Sequence, residues 1–271
     1  MESMKDKINN IDHLPVIRKA SFRFYEELND HLPAKFRKKA FIWEFKGKPS
    51  VKNTIQAIGI PHSEIDLILV NGKSVNFDHQ LEGGEHISVY PVFESLDICP
   101  VTRLRPEPLR TNRFIVDVNL GKLALKLRLL GFDTLFRNDY ADEEIVDIAL
   151  RDKRIILTRD KGILKMNAVT HACWLRNDDP KIQLTELINR LQLQNSFRPF
   201  SRCSDCNGKL KHADKEEIRG RIPEDTYSYY DEFWECSGCG KIYWEGSHFK
   251  HLTGWIDKLK TYNHQNRQLS E

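Results

Sequence analysis

The chain has 271 residues, of which 40% are hydrophobic and 30% charged, and a formal net charge of +3. That length exceeds one typical domain and implies two or three, the composition is ordinary for a soluble globular protein, and so mild a charge permits contact with nucleic acid without arguing for it. No apolar run approaches the roughly 20 residues of a membrane helix, and the polar start MESMKDKINNIDHL lacks the apolar core of a secretory signal, so a cytoplasmic protein without a membrane span is expected.

Residues 1–20 read as a flexible leader. From Ser21 the texture changes. SFRFYEEL and AFIWEFKG alternate apolar with polar residues, as a strand with one buried face does. VKNTIQAIGI has helical spacing in Val51, Ile55 and Ile58 and is ended by Gly59 and Pro61. IDLILVNGKSV is an apolar strand that meets Asn71-Gly72, a strong hairpin signal, and HISVYPVF supplies a last strand. The order ββαββ over 21–95 resembles the β-grasp fold, and within it the ubiquitin-like domain related to small sulfur-carrier proteins. Those carriers end in a free Gly-Gly, whereas Gly83-Gly84 lies inside this domain and reads as a turn. Conjugation and sulfur transfer are therefore not expected. A binding or regulatory module with a protein partner is. Residues 96–112 carry three prolines and the arginines Arg103, Arg105 and Arg110, with Arg113 just beyond, and read as a basic linker that is either a solvated connector or a contact to phosphates.

A second domain is expected over 113–196. FIVDV is a short buried strand, followed by the amphipathic helix LGKLALKLRLLG. In that helix Leu120, Leu123, Leu127 and Leu130 form the apolar stripe, Lys122, Lys126 and Arg128 lie off it, and Gly131 is the stop. DTLF is a second strand, and DEEIVDIALRD is a helix that is acidic in its first turn and basic near its end, as the helix dipole favours. RIILT is a third strand and AVTHACWL a fourth, with Cys173 buried in it. DPKIQLTELINRLQLQ closes the domain as a helix with Asp179 as cap and Pro180 in its first turn. Strands alternating with helices imply a parallel α/β sheet with right-handed crossovers.

Over 197–255, RCSDCNGKL and WECSGCGKIYW each hold a CxxC closely followed by glycine, which lets the chain turn beneath the sulfurs. Four of the six cysteines fall in these pairs, a pattern that points to metal ligation in a reducing compartment. Cys203, Cys206, Cys236 and Cys239 are the expected ligands of a structural Zn²⁺ in a zinc ribbon, closed by four thiolates. KIYWEGSHFKHL interleaves Lys241, Tyr243, Trp244, His248, Lys250 and His251, the side chains that grip a single strand through stacking and phosphate contacts. The same aromatics equally suit packing of a small ribbon against its neighbour. His248 and His251 have no third metal ligand nearby, Cys99 has no partner pattern, and 256–271 reads as a polar tail.

Three acids stand at the ends of elements in the second domain. Asp117 closes an apolar strand and is followed by Asn119, Asp142 opens a helix, and Asp160 directly follows RIILT. Acids so placed converge at one edge of a parallel sheet, where a hard cation is held. Phosphodiester hydrolysis needs an activated water and stabilised charge on the phosphate and on the leaving oxygen, which Mg²⁺ or Mn²⁺ supplies. Asp139, Glu143 and Glu144 compete with Asp142, and Asp178 and Asp179 are weak candidates for a fourth ligand. Thr158 is placed to hold the metal shell by a hydrogen bond and Arg159 to meet a phosphate.

Taken together, VDVNLGKLALKLRLLGFDT, DEEIVDIA, RIILTRDKGIL, RC-x2-C-NG-x-L, C-x2-CGKIYW and GSH resemble the Mut7-C RNase family. The resemblance runs from Ser21 to about Leu252 and includes the ubiquitin-like segment often fused to that family. It implies a PIN-like nuclease core over 113–196, the zinc ribbon after it, and a metal-dependent ribonuclease with Asp117, Asp142 and Asp160 as its acids. Arg159, Lys122, Lys126, Lys241 and Trp244 are the candidates to touch RNA. A non-catalytic RNA-binding or ribosome-associated adaptor, whose acids hold metal poorly or not at all, is the alternative.

Overall fold

The computed structural model describes residues 16–91, 104, 112–246, 249, 252–256 and 259. The chain divides into two units, Met1–Pro108 and Leu109–Glu271. The leader before Val16, most of the linker with Arg103, Arg105 and Arg110, Cys99, His248, Lys250 and His251 lie outside the described residues. No helix among those described is long and apolar enough to cross a membrane.

The first unit is a five-stranded sheet carrying one α-helix. Its strands are β1 (Ile17–Phe24), β2 (Phe41–Lys46), β3 (Ile65–Val70), β4 (Lys73–Ser74) and β5 (His86–Pro91), in the order β2-β1-β5-β3-β4, with α1 (Val51–Ile58) between β2 and β3. β1 pairs with β5 in parallel and with β2 antiparallel. Ala20, Phe22 and Phe24 point to one face and pack with Val51, Ile55 and Ile58 of α1. Ser50 caps α1 by accepting from the Asn53 N–H at 3.2 Å, and Gly59 ends it at φ 113°. Asn71 and Gly72 both have positive φ, as a tight type I′ hairpin requires.

Two expectations for this unit need correction. The first strand begins at Ile17, inside the expected leader, because Ile17 pairs with Lys46 and the ladder continues from there. It also ends at Phe24, so the stretch YEEL leaves the sheet as a 3-10 turn over Glu26–His31. Gly83 and Gly84 form a turn before β5, where the Glu85 carboxylate accepts from the N–H groups of Glu82 and Gly83.

The second unit is built on a parallel sheet of β6 (Arg113–Val116), β7 (Asp133–Leu135), β8 (Ile155–Thr158) and β9 (Ala172–Trp174), in the order β7-β6-β8-β9. Its helices are α2 (Gly121–Leu129), α3 (Asp142–Asp152), α4 (Lys161–Lys165) and α5 (Pro180–Arg190). Alternation along the strands makes two cores. Phe114, Val116, Leu157 and Cys173 pack with the leucines of α2 and α5. Ile115, Ile156 and Ala172 pack with Ile145 and Val146 of α3 and Ile163 and Leu164 of α4. Asp179 caps α5 by accepting from the Lys181 N–H.

After α5 the chain forms an antiparallel sheet of β10 (Leu210–Ala213), β11 (Phe233–Cys236) and β12 (Ile242–Trp244), with α6 (Glu224–Tyr229) between the first two strands. Phe233, Ile218 and Tyr227 form its small core. Arg128, which lies off the apolar stripe of α2, is buried rather than solvated. It donates to the carbonyls of Thr134, Ser204 and Asp205, and so joins the parallel sheet to the four-cysteine segment. Ile256, at the start of the expected polar tail, is buried in the core of α2 and α5, and Trp255 and Leu259 pack against it.

Candidate functional site

The carboxyl edge of the parallel sheet gathers the acids. The strand ladders end with Val116 beside Leu157 and Thr158 beside Trp174, so the next step along β6 sets Asp117 beside Thr158. Asp117 is 3% exposed, and its Oδ2 accepts from the Thr158 hydroxyl at 2.9 Å. The same hydroxyl oxygen accepts from the Asp160 N–H at 2.8 Å. One buried threonine therefore fixes both acids relative to each other, each bond using a different capacity of the hydroxyl.

Asp160 is also the cap of α4, with Oδ1 accepting from the Gly162 N–H at 2.6 Å. Asp142 is the first residue of α3, whose cap position is Ala141. The Asp142 side chain is exposed as a whole. Partial burial of its carboxyl, followed by the negative charges of Asp160, Asp117 and Glu143, still pushes its pKa up. The charges of Asp160 and Asp117 thus reach Asp142 from two other segments of the chain. The competitors behave differently: Asp139 and Glu144 both pair with Arg137. Asp179 serves as the cap of α5, and Asp178 pairs with Arg159. Among the described residues, the four cysteines are the one group of three or more ligand atoms all within 4.8 Å of one another, so the carboxylates meet more loosely.

The cationic candidates divide by position. Lys122 is exposed in the first turn of α2, just after the edge, and Arg159 follows β8. Lys126 lies with its ammonium 4.8 Å from the centre of the Trp255 ring. Lys241 pairs with Asp205 at 2.6 Å, and Trp244 packs against the small core around Phe233. Trp174 and Lys161 stand on the same edge, the Lys161 ammonium 4.0 Å from the centre of the Trp174 ring. Strand pairing puts Trp174 beside Thr158.

The cysteines make the second centre. Cys203 and Cys236 are buried, and Cys206 and Cys239 exposed. The sulfurs of Cys203 and Cys239 are 3.7 Å apart and those of Cys206 and Cys236 3.3 Å. Four thiolates around zinc at about 2.3 Å stand about 3.8 Å from each other, so this set is compatible with a structural Zn²⁺. Backbone N–H groups of Cys206, Gly208, Gly238 and Cys239 point at the sulfurs and stabilise thiolate charge, and the Tyr243 hydroxyl lies 3.0 Å from Cys203 Sγ.

No curated protein and no solved structure matched the chain. Two families did. The Mut7-C ubiquitin family matches residues 17–97, which takes in the whole of the first sheet. The Mut7-C RNAse domain matches residues 112–256, from the strand before Asp117 to the buried Ile256. With both the acidic edge and the four cysteines inside a match that covers more than half of its length, the chain belongs to the Mut7-C RNAse domain family.

Proposed function

We propose that the chain is a divalent-metal-dependent ribonuclease, with Asp117, Asp142 and Asp160 as the ligands of Mg²⁺ or Mn²⁺ at the carboxyl edge of a PIN-like sheet. The observation that supports this reading is that one buried hydroxyl, Thr158, holds the Asp117 carboxylate and the Asp160 backbone at the same sheet edge, with the charges of both acids contributing to the raised pKa of Asp142. Like charges held together without a partner are costly, and a hard cation relieves that cost. Mg²⁺ keeps several of its waters and needs few direct carboxylates, so these acids need not form a closed cage around it. When bound, the ion activates water and neutralises charge on the phosphate. Asp117 supplies a buried carboxylate whose direction is set by Thr158, and Asp160 is held by the same hydroxyl and by α4. In this reading Lys122, exposed beside the edge, and Arg159, released from its pair with Asp178, hold the phosphate backbone. Zn²⁺ on the four cysteines folds the ribbon and leaves no open coordination position.

The N-terminal unit is proposed to bind a protein partner and not to be conjugated, because Gly83-Gly84 is spent in a turn.

The decisive experiment is RNA cleavage by the full chain with Mn²⁺ or Mg²⁺ against the Asp117→Asn variant. A loss of at least about a hundredfold is expected, with the melting curve and zinc content kept. Undiminished cleavage by a folded Asp117→Asn protein would sink the assignment. Binding of RNA with no metal-stimulated cleavage would favour the adaptor.

A further inference from the structure

Beside the acids, the sheet edge carries an aromatic residue with a cation on its ring. Trp174 is the last residue of β9 and pairs with Thr158. Ile115, Ile156 and Ala172 face α3 and α4, and side chains two positions along a strand share a face. Asp117, Thr158 and Trp174 are thus a row across three neighbouring strands, on the face from which Asp142 approaches. Trp174 is partly exposed: one part of the indole packs on the core of that face, and Nε1 donates to the Arg159 carbonyl at 3.3 Å. The ring is therefore fixed in orientation. The Lys161 ammonium lies over it, 4.0 Å from the centroid, on an exposed side chain at the start of α4.

We propose that Trp174 and Lys161 form a nucleotide subsite next to the acidic centre. An unpaired base of the RNA stacks on the Trp174 indole in place of the Lys161 ammonium, and that ammonium takes the adjoining phosphate. The inference rests on the ribonuclease reading above and adds the substrate class: RNA that is single-stranded where it is cut. Three points favour it. An indole offers the widest surface for base stacking and does so without sequence preference. An exposed lysine over a ring is a weak contact that a base can displace. The displaced cation remains within a side chain's length of the acids, where a phosphate attached to the stacked nucleotide would lie. A base inside a duplex cannot reach the ring, because its two faces are already covered by its neighbours.

The test uses the full chain with Asp117→Asn as a background that binds without cutting. Binding of a fluorescent single-stranded RNA and of the same sequence as a duplex is measured for this protein and for versions that add Trp174→Leu, Trp174→Phe or Lys161→Ala. Trp174→Leu keeps an apolar side chain on the core but has no aromatic face. It is expected to weaken single-strand binding by about tenfold and to leave the duplex unaffected. Trp174→Phe restores most of the loss, which a purely structural role in packing would not predict. Lys161→Ala lowers the salt dependence of single-strand binding by about one ion. In the cleaving protein, Trp174→Leu raises KM and leaves kcat nearly unchanged.

Equal binding of single strands with and without the indole in folded Asp117→Asn protein, with RNA still cut where Asp117 is kept, overturns the subsite and leaves the ribonuclease reading standing. A protein that neither binds nor cuts RNA in any version removes both.

Discussion

Asp133, at the start of β7, ties the parallel sheet to the four-cysteine segment through one carboxylate. Its Oδ1 accepts from Arg154 Nη1 and from Asn207 Nδ2, each at 2.8 Å, while Arg202 and Arg113 lie at 3.2 and 3.4 Å from Oδ2. Burial alone would raise its pKa. The hydrogen bonds of Arg154 and Asn207 and the charges of Arg154 and Arg202 outweigh burial and hold the carboxyl down to about 2. A group depressed in the folded state stabilises the fold above its unfolded pKa, near 3.9, and that contribution disappears as pH falls through the folded value. The window is therefore between about pH 4 and pH 2, and the linked stability at neutral pH is about 2.5 kcal/mol. Asp133→Asn is expected to lose at least that amount at pH 7, because the buried Arg154 would lose its 2.8 Å carboxylate partner and keep only the looser pair with Asp152 at 3.7 Å and its backbone carbonyls. Unfolding by denaturant at pH 7 and across pH 5 to 2 checks both parts. The variant should be less stable at pH 7 and show a flatter acid limb, and an unchanged limb would mean that the ion pairs add nothing beyond their desolvation.

Among the elements, the cysteine ribbon depends on the close approach of two turns. A Cβ at Gly208 would come within 2.6 Å of Cys236 Sγ, whereas one at Gly254 would meet nothing within 4 Å. Gly208→Ala should therefore displace a ligand sulfur and bring zinc content clearly below one per chain by elemental analysis, with Gly254→Ala at full occupancy as the control. Full zinc in Gly208→Ala would show that the turn can open without cost. Gly208 was legible in the sequence because it stands two residues after its CxxC, and the helices α2, α3 and α5 were legible because their apolar stripes, and in α5 the cap Asp179, are local. The first part of β1 was hidden by Arg18 and Lys19, charged residues on a strand whose other residues carry the pattern. The helix α4 spans only Lys161–Lys165, too short for a period to register. Arg128 was unreadable for a different reason: the carbonyls that bury it belong to Ser204 and Asp205, far along the chain, and no window on α2 contains them. Trp174 likewise gains meaning only from its neighbour across the sheet.

At the scale of the whole molecule, the two units have separate hydrophobic cores, and every acid and cysteine assigned to chemistry or zinc lies in the second. The family match for that unit stops at Ile256, a residue 1% exposed in the core of α2 and α5. A fragment of residues 109–271 is accordingly expected to fold, to bind one zinc, and to cleave RNA with kcat/KM within a few fold of the full chain. Ending the fragment at Gly246 instead removes Ile256, Trp255 and Leu259 from that core, a loss of about 3 kcal/mol by the burial of one large apolar side chain and the void it leaves. The longer fragment should therefore melt as a cooperative unit and the shorter one at clearly lower temperature. Cleavage and melting of the two fragments beside the full chain separate the possibilities. A folded, zinc-loaded 109–271 fragment without activity would make the ubiquitin-like unit a contributor to cleavage itself. Retained activity would leave that unit the task of choosing where and with which partner the cleavage takes place.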